Sequence, residues 1–370
     1  MHGAAMSVDP AYHFSPDYRG ARDRFLRAAQ QRGATVWTYP LEPRGSGGEE
    51  IGVDVAYVGP RDAEALVVIS SGLHGIEGFA GSAVQHQLLT EQLDGLALPN
   101  AAGLMLVHAL NPFGFAALRR VNESNVDLNR NFLRHPDDHV PSPDYDRLYA
   151  AINPDALDEA SEQRAREDLR AFASEHGVRC LQEVVSSGQY RHPRGMQFGG
   201  SREEASNLIA RQIVREHVRA TRVAWVDVHT GLGAYGDFVM LTALGPGDPA
   251  VRRGGAWFGA AVQSVSAGQA VTPVCHGSSD LGLATEFRPD STVTFFAQEF
   301  GTYGPTRVFR AMRADNWLQH HGDTESEDGR AIKAELLEAF RPADPAWQRA
   351  VLDGGARVIR QARDGLAGGS

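Results

Sequence analysis

Cysteine is nearly absent from this chain. Cys180 and Cys275 are the only two among 370 residues, and no C-x-x-C pair exists. That counts against a thiolate metal site or a redox dithiol, and two reduced thiols in a cytoplasmic protein are expected. Long apolar runs are missing too. No stretch of 18 apolar residues occurs, and Met1 to Ser7 lacks the apolar segment of a secretory signal, so a soluble, cytoplasmic protein is expected. Positive charge is scarce, with 36 basic against 46 acidic residues, a formal net charge of -10 and no Lys/Arg-rich tract. Nucleic acid and anionic membrane, which attract basic surfaces, are therefore not expected as partners. Internal repeats and low-complexity tracts are absent. What the chain does have is apolar residues, 42% of the total, enough for a large core within one α/β domain over residues 1–370.

The apolar residues fall into strand-like and helix-like runs in alternation. Residues 34–40 and 51–58 read as strands joined by a turn at Gly45 to Gly48. Ala65 to Ser70 is continuously apolar, the mark of a strand covered on both faces. Further buried strands are expected at 103–109, 222–228, 237–243 and 292–298. Helical patterns lie at 16–32, 80–93, 202–219, 248–266 and 305–320. Such alternation predicts a mostly parallel sheet with helices on both faces, whose ligands bind beyond the carboxyl ends of the strands. Residues 134–200 break the rhythm with a Pro-rich, charged start, a polar helix over 155–176 and a loop from Ser186 to Gly200. This segment reads as an insertion with too few large apolar residues for a core of its own. Residues 326–364 read as terminal helices packed on the body, with a frayed tail from Gly365 to Ser370.

Four segments at or just after strand ends carry chemistry. His74 and Glu77 stand three residues apart in a glycine-rich turn, a spacing that lets an imidazole and a carboxylate converge on one ion. H-x-x-E by itself also fits a polar loop capping a helix. His229 follows Val223 to Val228 and precedes Thr230-Gly231-Leu232-Gly233, which faces it toward the ligand crevice; a core histidine bonded to backbone is the alternative. Glu299 ends the apolar run Thr292 to Ala297, where a carboxylate is costly unless paired or functional. Desolvation there would raise its pKa toward that of a general base, and an ion pair with Arg307 is the plainer reading. Between Arg120 and Arg130, two arginines and an asparagine could hold a carboxylate or polarise a carbonyl. Asp127 in that stretch could fix a ligating histidine's tautomer. The Ser186–Gly200 loop, with its glycines, Tyr190 and Phe198, reads as a hinged cover or as an ordinary surface loop.

Taken together, these segments resemble the zinc carboxypeptidase superfamily, the M14-type metallopeptidases. More narrowly they resemble a bacterial branch known as DUF2817, related to succinylglutamate desuccinylase and aspartoacylase. The pattern is H-x-x-E at His74 and Glu77, N-P-x-G at Asn111 to Gly114, Arg120 through Val126-Asp127-Leu128-Asn129-Arg130-Asn131-Phe132, a strand ending in His229 and a strand ending in Glu299. It covers residues 50–320 in order. The resemblance implies a mixed, mainly parallel sheet of about eight strands and one zinc ion on His74, Glu77 and His229. It implies that Glu299 is the general acid/base, that Arg120 (or the adjacent Arg119) polarises the scissile carbonyl, that Asn129 and Arg130 bind the substrate's free carboxylate, and that Asp127 orients His74. The mobile tyrosine common upstream of the catalytic glutamate in these peptidases is not found between residues 270 and 290.

The expected function is zinc-dependent hydrolysis of an amide, in a peptide or an N-acyl amino acid, beside a free carboxylate, with Tyr190 contributing to substrate preference. The substrate is expected to be a small molecule or short peptide, and an oligomer is compatible with the sequence. A broad carboxypeptidase on short peptides and a non-catalytic binding protein on the same fold are the alternatives. The intact Glu299 and ligand set speak against the latter.

Overall fold

The computed structural model describes residues 9–368 apart from 46, 97, 99–101, 134–138, 269 and 271. The readings made for the extreme N-terminus, for the start of the 134–146 segment and for the last two residues lie outside the described residues. Eight strands form one sheet: β1 (Thr35–Arg44), β2 (Glu50–Val58), β3 (Ala65–Ser71), β4 (Ala102–His108), β5 (Arg222–Tyr235), β6 (Phe238–Thr242), β7 (Val262–Ser264) and β8 (Thr292–Gly301). Their order is β1-β2-β4-β3-β5-β8-β6-β7, and four of the seven pairings are parallel, including the central run β4-β3-β5-β8.

The central strands are covered on both faces, as their unbroken apolar runs require. Along β3, Val67 and Ile69 join a cluster with Phe25, Val84, Trp347 and Ile359 on one side. Leu66 and Val68 join Ile213, Val214, Phe198 and Phe287 on the other. The two-residue period of a strand thus divides one sequence run between two cores. Helices Tyr18–Gln31, Gly78–Gln87 and Pro345–Ala367 cover the first face, and Ala205–His217 covers the second. Helices Pro305–His321 and Glu327–Phe340 close one end through Val308, Leu336 and Phe340, packed on Ile76, Phe79 and Phe115. Among the described residues no helix is long and apolar enough to cross a membrane.

Several expectations needed correction. The helix predicted over 248–266 stops at Phe258, because Gly259 takes a positive φ of +65° that ends the helix, and edge strand β7 follows. Strand β5 continues through the expected glycine turn to Tyr235, with a register shift between Gly231 and Tyr235. The helix begun at Gly78 turns π-helical over Leu88–Gln92. The tail is helical through Ala367, and a Cβ at Gly365 would collide with Trp257 at 2.3 Å, so this end is packed. In the insertion three helices, Pro143–Ile152, Glu159–His176 and Val178–Ser186, stand where one was expected. They do enclose an apolar cluster (Tyr145, Leu148, Ile152, Phe172 and Met196), but Phe309 and Met312 of the distant helix Pro305–His321 complete it. Those partners are invisible to a reading of the segment alone.

Candidate metal centre and substrate cavity

His74 and Glu77 come off the end of β3 on a tight turn, Gly75–Glu77. The turn presses against the N-P-x-G segment: a Cβ on Gly75 would lie 2.1 Å from the Gly114 backbone, so only glycine fits. Gly75 N–H donates to Arg120 O (3.1 Å) and Ile76 N–H to Arg119 O (2.8 Å), which ties the turn to the arginine loop. His229 lies on β5 directly opposite Glu299 on β8 in a parallel pairing, so the two side chains leave the same face side by side. Register, not loop geometry, brings His229 and Glu299 together.

The donor set converges. His74 Nδ1 is 2.9 Å from Glu77 Oε1, His229 Nδ1 is 3.0 Å from Glu77 Oε2, and the two Nδ1 atoms are 3.2 Å apart. All three residues are buried. The far nitrogen of each ring faces an aspartate: His74 Nε2 is 3.1 Å from Asp127 Oδ1, and His229 Nε2 is 2.8 Å from Asp227 Oδ2. A proton on each Nε2 leaves both Nδ1 lone pairs pointing at one spot. Two buried lone pairs so close repel each other unless a cation lies between them. The separations are close to the ~3.3 Å edge of a tetrahedron with metal–ligand bonds of about 2.0–2.1 Å. Two imidazoles and one carboxylate therefore fit zinc with a position left for water.

Burial alone would raise the Glu77 carboxyl, but the two imidazoles pull it below the usual carboxylate range. Glu299 is different. Burial, and then the negative charge of Glu77, push its carboxyl up to about 7. Its Oε1 accepts from Leu232 N–H at 2.9 Å. The plainer pairing with Arg307 does not occur, since Arg307 is held by Glu335 at 2.7 and 2.9 Å. Glu286, on the short 3-10 turn Ala284–Glu286 ahead of β8, is tied to Arg211 and Arg215.

Arg120 lies against the ligands. It pairs with Asp127 Oδ2, its Nη2 is 2.8 Å from His74 Nε2, and its Nε is 3.7 Å from Glu77 Oε1. With Nε2 protonated toward Asp127, the Nη2 contact is not a hydrogen bond, because neither group accepts. Asp127 is buried against Arg120, Arg130 and His74; burial works to raise its carboxyl, but the two guanidiniums, with the His74 hydrogen bond, hold it well below the usual range. Asn129 lines the cavity, and its Oδ1 accepts from Ser279 N–H (2.9 Å), so its NH2 is not spent on that contact. Arg130 spends Nε and Nη2 on Ser186 O (3.0 and 2.7 Å) and Nη1 on Asn129 O (3.1 Å). One N–H on each terminal nitrogen remains. These groups surround a cavity of about 160 Å³ that also touches Glu299, Leu241, Val265 and Phe295.

Two sequence candidates sit elsewhere. Arg119, offered as an alternative to Arg120, points away from the cavity: Leu118 before it has a positive φ of +49°, and the guanidinium is buried against Asn125 Oδ1 (2.8 Å) and Asp315 (3.4 Å). Tyr190 does not line the cavity either. Its hydroxyl donates to Arg130 O at 2.7 Å, so it props the segment that carries Arg130 from behind. Nor is the 186–200 loop a hinged cover. Gln189 N–H donates to Gln197 O, Gly199 N–H to Gln189 O and Asp127 N–H to Phe198 O, at 2.8–3.0 Å, which makes it a fixed wall.

Residues that the sequence reading passed over complete the site. Asp227 holds His229 and accepts from Ser70 Oγ at 2.7 Å, and Ser70 Oγ in turn accepts from Trp225 Nε1 at 2.7 Å. The signal was present, since 225, 227 and 229 share one face of a strand. Gln197 lines the cavity, and nothing in its local sequence marks it. Lys333, from the terminal helices, donates to Ala117 O, Leu118 O and Asp315 (3.1, 3.2 and 2.6 Å), clamping the turn that precedes Arg120.

No curated protein matches the chain. Among solved structures it is similar to bovine thrombin-activatable fibrinolysis inhibitor in complex with tick carboxypeptidase inhibitor, at 12% identity over 97% of this chain and 100% of that one, TM-score 0.49. It is similar to carboxypeptidase A from Helicoverpa armigera at 14% identity, over 92% and 77%, TM-score 0.47. A similarity at 12% identity also extends to Fimbriiglobus ruber glutaminyl cyclase, over 97% and 96%, TM-score 0.42. Likenesses this distant say nothing about chemistry. The family model is decisive where they are not: residues 14–354 match the family described as protein of unknown function (DUF2817), and the chain belongs to that family.

Proposed function

We propose that this protein is a zinc-dependent hydrolase that cleaves an amide, in a short peptide or N-acyl amino acid, beside a free carboxylate. The observation that carries the reading is the convergence of His74 Nδ1, His229 Nδ1 and Glu77 next to an in-register, buried Glu299. A bound zinc ion would supply Lewis acidity toward the substrate carbonyl and toward a water molecule. The chain's own groups do the rest. Glu299, with its carboxyl near 7, takes a proton from the attacking water and returns it to the leaving amine. Arg120 stabilises negative charge developing on the carbonyl oxygen. Asn129 and the two remaining Arg130 N–H groups bind the carboxylate.

The cavity favours a restricted substrate over a broad carboxypeptidase. Its volume of about 160 Å³ is below the ~300–1,000 Å³ of sites for drug-sized ligands, and its wall is fixed. The test is a screen of the zinc-loaded protein against dipeptides and N-acyl amino acids, with and without chelator. Chelator-sensitive hydrolysis of a free-acid substrate is expected. Turnover that survives complete metal removal would rule the reading out.

A further inference from the structure

Gln197 is a non-glycine residue held in the left-handed backbone region, with φ +58°. Glycine suits that conformation and a long side chain does not. The backbone there is pinned, because Gln197 O accepts from Gln189 N–H (3.0 Å) and the next carbonyl accepts from Asp127 N–H (2.8 Å). The loop could thus keep its path with glycine, yet it carries glutamine, 7% exposed, at the wall of the metal-centre cavity. Its amide orientation is dictated by a neighbour. Arg120 Nη1 lies 3.2 Å from Oε1, and because guanidinium has no acceptor, the oxygen must face it. The NH2 group is left on the other side, without a partner among the described residues. Strain retained at a cavity wall, with an amide donor that no neighbour uses, marks a group kept for a ligand.

We infer that Gln197 is a catalytic residue whose NH2 donates, beside Arg120, to the oxygen of the scissile carbonyl. This rests on the hydrolase reading above. Arg120 Nη1 is shared between Asp127 and the Gln197 amide that it orients, which leaves the other guanidinium nitrogens to stand beside the Gln197 NH2 toward one oxygen. A donor aimed at charge that appears only in the transition state changes kcat and leaves KM largely alone.

Two variants test it, with zinc content and melting temperature measured beside kinetics. Gln197→Gly relieves the backbone, so the melting temperature should hold or rise, while kcat falls about 10²-fold, the usual cost of one oxyanion donor, and KM stays within a few-fold. Gln197→Glu keeps the size and the acceptor for Arg120 but has no N–H, so it should be no better than the glycine variant. If the side chain only positions Arg120, Gln197→Glu restores activity and the inference fails. It also fails if folded Gln197→Gly keeps wild-type kcat. If the glycine variant does not fold, Gln197→Glu alone decides between these outcomes. A second readout is the Kd of an N-phosphonyl amino acid, which presents tetrahedral anionic oxygens. Its affinity should drop in parallel with kcat, and unchanged affinity in both variants overturns the assignment. A zinc-loaded wild type inactive on every amide sinks the hydrolase reading and this inference together, whereas active wild type with indifferent Gln197 variants sinks only the inference.

Discussion

The two halves of the site are held by different physics. Glu299 and His229 stand on adjacent parallel strands in register, with His74 and Glu77 on a turn off the strand beside them. Arg120 and Gln197 stand on loops, and Asn129 and Arg130 on the short 3-10 turn Leu128–Arg130 between loops, with no sheet to align them. Those loops are stitched by buried polar contacts: Asp127 with two arginines and His74, Asn125 Nδ2 with Pro193 O and Gly195 O, and Asn131 Nδ2 with Gly199 O and Arg202 O. Ladder hydrogen bonds tolerate side-chain change, because the backbone makes them. A polar network does not, because each lost partner leaves another buried group unsatisfied. Changes in the sheet half should therefore remove chemistry cleanly, and changes in the loop half should spread.

The largest effect should come from the ligands. His74→Ala or His229→Ala leaves two donors, too few to hold zinc tightly, and stoichiometric metal should be lost from the purified protein. Full occupancy in both variants would contradict the ligand assignment. Next in size is Glu299→Gln, which is nearly isosteric but cannot accept a proton. It should keep zinc and substrate affinity while kcat falls by about 10²-fold or more. The same group sets a pH dependence. A base must be ionised to act, and with a carboxyl at about 7 the ionised share grows as pH rises, so activity should be about tenfold lower at pH 6 than at pH 8. A flat profile across that range would assign the proton transfers elsewhere.

In the loop half, amidating the substrate's carboxylate should cost roughly 10–150-fold in kcat/KM, the equivalent of about 1.5–3 kcal/mol for hydrogen bonds to a charged group. Arg130→Lys should cost part of that factor, since ammonium keeps charge but loses the fork. Equal cleavage of amide and free acid would leave an amidase for neutral substrates. A paired comparison sharpens the contrast between the halves. Asp227→Asn and Asp127→Asn each remove the carboxylate behind a ligating histidine, and each should weaken metal binding by about 10–100-fold. Only Asp127→Asn also removes the carboxylate that holds Arg120 and Arg130 in place, so only it should raise KM as well. Matching KM values in the two variants would show that the halves are not held differently. Smallest is Tyr190→Phe, which removes one prop under Arg130 and, at about 0.5–1.5 kcal/mol, should change KM roughly two- to tenfold with zinc content untouched.

The sequence by itself determined the sheet half. Strand β3 announces burial on both faces by its unbroken apolar run, and side chains at its end must face the crevice of a parallel sheet. Hence His74, Glu77, His229 and Glu299 were legible as a set, and Asp227 could have been read from its two-residue step to His229. Boundaries set by glycine φ, such as the helix stop at Gly259, were legible only once the backbone was seen, since a glycine permits a positive φ without requiring it. The tertiary structure alone decided the loop half. Arg119 and Arg120 are chemically equal in sequence, and the backbone at Leu118 and the partner Asp315, 196 positions away, separate them. Gln197, Lys333 and the completion of the insertion's core by Phe309 and Met312 likewise depend on contacts between distant segments. Periodicity records which way a residue faces within its own element, but it carries no information about which remote donor, acceptor or ring will meet it there.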